Sequence, residues 1–307
     1  MHVFVTGASG WIGSAVVPEL IGAGHRVTGL ARSDASAAGL AAAGARVRRG
    51  TLTDLDSLRD GTAEADGVIH LAFQHDVAFA GGFEAATAAD REAIETLGDA
   101  LAGTDRPLLI ASGTLGLAPG RVATEQDGAD TPVAGGPAGR QANAQFTVGL
   151  ADRGVRSVVV RLPPTVHGDG DNGFMAALVG IAREKGVAGY VDDGANRWPA
   201  VHRTDAAHLF RLALENAPAG SVLHAVADEG VPIRAIAEVI ARHLDIPVAS
   251  IPAEHAGQHF SWLGGFIGFD SPASSAQTRA LLDWHPTQPG LVDDLDKGHY
   301  FAAAHSH

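Results

Sequence analysis

Short apolar runs alternate with segments of helical periodicity through the first half of the chain. His2–Val5 reads as a first strand. Ile12, Val16, Val17, Leu20 and Ile21 then share one face of a helix. Pro18 lies inside it, where the lost hydrogen bond to Ser14 predicts a kink, and Gly22 and Gly24 mark its end. Further strands are expected at His25–Leu30, Ala45–Arg49, Gly67–Leu71, Leu108–Ala111 and Ser157–Leu162, with helices at Glu84–Ala102 and Arg140–Asp152. Strand, helix, strand repeated in this way implies right-handed crossovers and a parallel sheet. Gly113–Gly139, rich in Gly, Pro, Ala and Thr, reads as a long loop. Ser221–Ala225 supplies another strand, Pro232–Leu244 an amphipathic helix with proline in its first turn, and the rest a smaller helical lobe.

The turn between the first strand and the first helix carries three glycines, Thr6-Gly7-Ala8-Ser9-Gly10-Trp11-Ile12-Gly13. The first permits a tight turn, the second lets backbone approach a pyrophosphate, and the third lets helix and strand pack closely. The helix start then offers unpaired amides to the phosphates. The expected fold is therefore α/β, a Rossmann-type doubly wound parallel sheet with a smaller C-terminal substrate lobe. The dinucleotide-binding unit is expected at 1–163 with a return segment at 196–230, and the substrate lobe at 164–195 and 231–301.

Charge sharpens this picture. The 307 residues carry 35 acids against 22 bases, a formal net charge of −13. Such a field repels nucleic acid and anionic membranes, so an anionic cofactor must be captured by local backbone donors and one or two placed arginines. There is no cysteine, which excludes disulfides and thiolate chemistry. No stretch reaches the roughly 18 uninterrupted apolar residues of a membrane span, and no signal peptide is visible, so a cytoplasmic location is the expectation. Among 15 histidines, His202 and His208 are six apart and His255 and His259 four apart, with no third ligand evident, so no metal site is expected.

The glycine turn resembles that of extended short-chain dehydrogenases/reductases, the NAD-dependent epimerase/dehydratase family. Val68-Ile69-His70-Leu71-Ala72 resembles the family's fourth-strand signature, and Arg161-Leu162-Pro163-Pro164-Thr165-Val166-His167-Gly168 its Arg-x-x-Asn-Val-Tyr-Gly segment. Val201-His202-Arg203-Thr204-Asp205 and Leu282-Asp283-Trp284-His285-Pro286 resemble two later family segments. The resemblance implies an NAD(P)-dependent oxidoreductase acting on a small molecule, as a monomer or homodimer. It also implies cofactor contacts from Thr6, Gly7, Ser9, Gly10, Trp11, Ile12 and Gly13, from Leu71, Ala72 and Phe73 after the fourth strand, and from Pro163 and Pro164 at the nicotinamide face.

Where NAD-preferring members place an acid about 20 residues past the glycines, this chain reads Leu30-Ala31-Arg32-Ser33. Arg32 can grip a 2′-phosphate bidentately and Ser33 can add a hydroxyl, which favours NADP(H). A solvated surface arginine is the plainer alternative, and Asp34 could serve NAD if the turn were shorter. Gly50-Thr51-Leu52 occupies the place of a family Gly-Asp-Leu near the adenine, leaving Thr51 and Leu52 without the acid.

The resemblance also implies a catalytic Tyr-x-x-x-Lys and a hydroxyl after the fifth strand, and here the chain departs. Only Tyr190 and Tyr300 are present, and the expected place reads Gly136-Pro137-Ala138-Gly139-Arg140. Arg140 stands at the lysine's place, which resembles an atypical subgroup that lacks Tyr-x-x-x-Lys. The remaining candidates are Ser112 or Thr114 to bind the developing oxyanion, with turn capping as the plainer role. His75 or His167 is the candidate proton source, with His167 preferred because it replaces a family residue bordering the pocket. His75 with Asp76 could instead be surface loop, and His167 a partly buried neutral imidazole. Arg140 is expected to hold ribose or substrate, and His202 and Asp205 to be architectural. The leading expectation is an NADP(H)-dependent carbonyl reductase or alcohol dehydrogenase. A sugar epimerase or dehydratase and a non-catalytic cofactor sensor are its rivals.

Overall fold

The computed structural model describes residues 1–128 and 137–302. In chain order the strands are β1 His2–Thr6, β2 Arg26–Ala31, β3 Arg46–Arg49, β4 Gly67–His70, β5 Pro107–Gly113 and β6 Arg156–Leu162. They continue with β7 Thr165–His167, β8 Ala188–Val191, β9 Arg197–His202, β10 Ser221–His224, β11 Asp228–Pro232 and β12 Val248–Ile251. Seven form one sheet in the order β10-β6-β5-β4-β1-β2-β3. Every pairing in it is parallel. The strand order reverses between β1 and β4, the place where doubly wound sheets open a crevice at their carboxyl ends.

Period-two alternation explains how the sheet is covered on both faces. Val3 and Val5 of β1, Leu109 of β5 and Val158 and Val160 of β6 join one core with Val16, Leu20, Phe210 and Trp284. Phe4, Leu108, Ile110 and Val159 point to the other, with Ile94, Leu97 and Leu101 of the long helix Phe83–Leu101. Strands buried on both faces read as continuous apolar runs, which is why these were legible in the sequence.

The helix Gly13–Gly22 continues through Pro18, which lies on its exposed side. It stops where Gly24, at φ +87°, lets the amides of Gly24 and His25 reach back to Ile21 and Leu20. Helices Asp34–Ala42, Leu55–Ala63, Phe174–Lys185 and Arg203–Asn216 complete the crossovers and the second layer. Alanine-rich Asp34–Ala42 buries only Leu40, so it leaves little periodic trace.

The expectation of a purely helical C-terminal lobe is corrected. β11, β9 and β7 form a small mixed sheet, and β12 pairs with β8. Around them a second core gathers Met175, Trp198, Ile236, Ile240, Phe260 and Leu263. β9 serves both cores, with Trp198 and Ala200 in the second and Val201 in the first. Pro232 ends β11 and precedes the helix Ile233–Leu244 instead of opening it, a shift of one residue. The helix expected from Arg140 begins at Pro137, and part of the expected long loop, with Gly136, lies outside the described residues. Among the described residues no helix is long and apolar enough to cross a membrane.

Candidate active site

The glycine turn is built as tightly as its spacing implies. Gly7 sits at φ +65°, and a Cβ there would lie 2.6 Å from the Ala72 backbone nitrogen. A Cβ on Gly13 would lie 2.2 Å from the Gly7 carbonyl oxygen. Gly10 donates its amide to that same carbonyl at 3.0 Å. Among the described residues the amides of Trp11 and Ile12 meet no backbone acceptor, as expected at a helix start. Ser9 and Gly10 are exposed beside them. A cradle that only glycine can line, opening on free amides, fits a dinucleotide pyrophosphate.

The side chains of two residues of this turn hold the fold together. The Thr6 side chain is turned away from the crevice: it is fully buried, and its hydroxyl bonds His70 Nδ1 at 2.8 Å. Trp11 donates its indole N–H to the Val166 carbonyl at 2.8 Å and lies under the Arg203 guanidinium at 4.2 Å. It clips the glycine turn to the segment after β6. Pro163 is buried and Pro164 half-buried in that same segment.

At the far end of the crevice Arg32 follows β2, exposed and without a side-chain partner among the described residues. Ser33 caps the helix Asp34–Ala42, accepting from the Ser36 amide at 3.2 Å. Asp34, the residue that could have served NAD, is ion-paired to Arg49. The Gly50 amide donates to Ala31 at 3.2 Å, which brings Thr51 beside this corner, while Leu52 is buried in the core.

The reacting end is assembled by β4, β5 and the helix Pro137–Gly149. Arg140 donates to the Ala111 carbonyl of β5 at 2.8 Å and lies over the Phe73 ring at 4.2 Å. Ser112 and Thr114 are buried at the end of β5, and Thr114 donates its amide to Leu162 at 3.0 Å. Among the described residues the Thr114 hydroxyl has no hydrogen-bond partner. His75 packs edge-on against Phe73 at 4.9 Å. Packing by its neighbours, then the Arg140 charge, push its titration below the ordinary histidine value. Burial also lowers the Arg140 pKa, opposed by Asp90.

His167, the preferred proton source, is placed inside the substrate lobe. Its side chain is 0% exposed, and Nδ1 bonds Asp294 at 2.9 Å beneath the ring of His202. Its Nε2 is buried and meets no hydrogen-bond partner among the described residues. His202 and Asp205 are architectural, as read. His202 accepts from the Thr204 amide at 3.3 Å. Asp205 accepts from the Thr287 and Gln288 amides, both at 3.0 Å.

Two buried polar clusters went unread in the sequence. In the first, Thr6 bonds His70, His70 Nε2 bonds Asp90 at 3.1 Å, and Asp90 accepts from Asn143 at 2.7 Å. Burial pushes the Asp90 carboxyl up, but His70, Arg140 and Asn143 outweigh it and hold it low. The chain of bonds runs from the glycine turn to the helix carrying Arg140. Asn143 lies three residues past Arg140 on that helix, a spacing that could have flagged it. In the second cluster Arg161 donates to the Asp127 carbonyl at 2.8 Å and approaches His224 Nε2 at 3.3 Å. Glu125 accepts from the Thr278 amide and hydroxyl at 2.8 and 2.7 Å. This cluster pins the 114–128 segment beside β6.

Comparison with known proteins agrees with this geometry. The sequence profile of the NAD dependent epimerase/dehydratase family matches residues 3–225. An uncharacterized protein of Schizosaccharomyces pombe is 48% identical over 302 residues, covering 98% of this chain and 100% of that one. A 4-hydroxy-2-methyl-3-oxo-4-farnesyl-3,4-dihydroquinoline-1-oxide ketoreductase of Stigmatella aurantiaca is 28% identical over 247 residues, covering 76% of this chain and 70% of that one. In fold, the chain is similar to the UDP-glucose 4-epimerase of Thermotoga maritima, with a TM-score of 0.76 at 18% identity, covering 98% of each. With its parallel sheet, its glycine cradle and this match, the chain belongs to the NAD dependent epimerase/dehydratase family.

Proposed function

We propose that the chain is an NADP(H)-dependent carbonyl reductase, or in reverse an alcohol dehydrogenase, acting on a small or medium organic substrate. Residues 1–163 and 196–230 form the cofactor lobe, and 164–195 with 231–301 the substrate lobe. The observation that carries the reading is the Thr114 hydroxyl, buried at the end of β5 without a partner among the described residues. A buried hydroxyl left unmade costs about 1–3 kcal/mol, and a substrate oxygen is the group that relieves it. Arg140, anchored to Ala111 on the same strand, supplies positive charge there.

When bound, the nicotinamide supplies or accepts the hydride. The chain's residues do the rest. Gly7, Gly10 and Gly13 with the amides of Trp11 and Ile12 hold the pyrophosphate, and Arg32 holds the 2′-phosphate. Thr114 hydrogen-bonds the carbonyl oxygen, Arg140 stabilises charge developing on it, and His75 relays the proton from the pocket mouth. The Stigmatella ketoreductase supports reduction of a carbonyl as the reaction. Sugar epimerisation or dehydration has support from the family match and from fold likeness.

The test is a titration with NADPH followed by a panel of aldehydes and ketones, run on the native chain and on Thr114→Val, His75→Ala and Arg140→Ala. Carbonyl-dependent NADPH oxidation that collapses in Thr114→Val is expected. NADPH binding without oxidation across the panel would leave a sensor instead.

A further inference from the structure

We infer that the substrate is a planar, uncharged, largely apolar carbonyl compound, held along a chain of aromatic rings that starts at the reacting end. This inference rests on the reductase reading and names the class of substrate for that same site.

The rings form a continuous path. Phe73, under Arg140, packs against His75 at 4.9 Å, and His75 stacks on Phe79 at 5.9 Å. Phe79 then meets Trp262 of the substrate lobe at 4.8 Å. Trp262 meets Phe174 at 5.3 Å, and Phe174 meets Phe266 at 6.3 Å. These are separations at which aromatic faces and edges attract. Phe79 is 43% and Trp262 41% exposed. Among the described residues the exposed large aromatics are Phe79, Trp262 and Phe269, and Phe269 touches Phe266 at 6.5 Å. Exposed aromatics gathered in one place, and leading to a reacting centre, mark a ligand surface.

Phe79 lies in the kinked turn Ala78–Gly82, where Gly81 at φ +96° breaks the helical course before the helix Phe83–Leu101.

Charge decides what the surface takes. Among the described residues no guanidinium or ammonium lies over Phe79, Phe174, Trp262 or Phe266; Arg140 lies over Phe73 at the inner end. In the substrate lobe Arg234, Arg242, Lys185 and Lys297 are ion-paired to Glu238, Asp296, Glu184 and Asp294, and Arg183 and Arg279 donate to backbone carbonyls; beside β9, Arg197 is ion-paired to Asp270. A nucleotide-sugar diphosphate needs free cations along its length. This path offers ring faces instead, so the carbonyl oxygen lies by Thr114 and Arg140 while the flat apolar body lies against Phe79 and Trp262.

The test compares 2-naphthaldehyde with propanal as substrates, and 2-naphthalenemethanol, which cannot be reduced further, as a dead-end ligand of the NADPH-loaded chain. Reduction of each aldehyde to its alcohol consumes one NADPH and one proton. Trp262→Ala and Phe79→Ala are expected to raise KM for naphthaldehyde about 2–12-fold, the scale of a lost aromatic pair. Turnover at saturation, propanal kinetics and NADPH affinity should hold, and Trp262→Phe should restore KM. Unchanged NADPH affinity shows that a variant has folded. Equal kcat/KM for both aldehydes, unmoved by either variant, overturns the inference and leaves the reductase reading standing. Naphthalenemethanol binding that weakens in Trp262→Ala, with no carbonyl reduced, supports the apolar site and overturns the reductase reading. Binding of UDP-glucose at the same site, indifferent to Trp262, overturns both.

Discussion

Arg32 is the sharpest test of cofactor choice. The guanidinium is exposed and has no partner among the described residues, so its removal breaks no bond to them. A unit charge pair at about 4 Å is worth about 1 kcal/mol in water. A 2′-phosphate carries close to two charges near neutral pH, so the Coulomb part is about 2 kcal/mol, and charge-assisted hydrogen bonds give about 1.5–3 kcal/mol. Since about 1.4 kcal/mol is tenfold in affinity, Arg32→Ala should weaken NADPH roughly 10-fold to 150-fold. Arg32→Asp should weaken it further by adding repulsion beside Asp34. NADH lacks the phosphate and should change less than about threefold with Arg32→Ala. The assay is fluorescence titration of both cofactors at two salt concentrations, because exposed pairs are screened within about 10 Å at 0.1 M salt. The NADPH advantage should shrink at the higher salt. Equal losses for NADPH and NADH, or no loss for either, would show that Arg32 is an ordinary surface charge and refute the reasoning.

Thr114→Val should lower the hydride-transfer rate about 10²–10³-fold, as loss of an oxyanion donor does, with NADPH affinity unchanged in a direct titration. Gly7→Ala should lose at least about tenfold in NADPH affinity, because the left-handed backbone costs an alanine about 1–2 kcal/mol and its Cβ would meet the Ala72 backbone at 2.6 Å; isothermal titration reads this directly. Asp205→Ala strands the Thr287 and Gln288 amides and should cost about 2–4 kcal/mol of stability in urea unfolding. His224 is neutral in the fold, its pKa lowered by burial and by Arg161 from 6.5 to about 4 against the pull of Ser274, Glu125 and Asp127. A depressed pKa means its contribution is whole above pH 6.5 and is lost as pH falls toward 4. His224→Gln should therefore flatten the fall in urea midpoint across that window, and an unchanged slope would place the acid sensitivity elsewhere.

The sequence by itself determined the cofactor half. Residues 2–31 spell out strand, glycine turn, helix and strand through neighbours a few positions apart, and the backbone needs of Gly7, Gly10 and Gly13 are local. The apolar runs at β4, β5 and β6 were legible because both faces of those strands are buried. Only tertiary structure decided which polar side chains face the crevice. The Thr6 hydroxyl is taken up by His70, 64 residues away. His167, preferred as an acid, is held inside the substrate lobe by Asp294, 127 residues on. The aromatic path joins residues 73–79 to 174 and 262–266, segments with no shared period to reveal them. Periodicity records which face of an element is apolar; it carries no record of which distant element covers that face, and a side chain's chemistry depends on that cover.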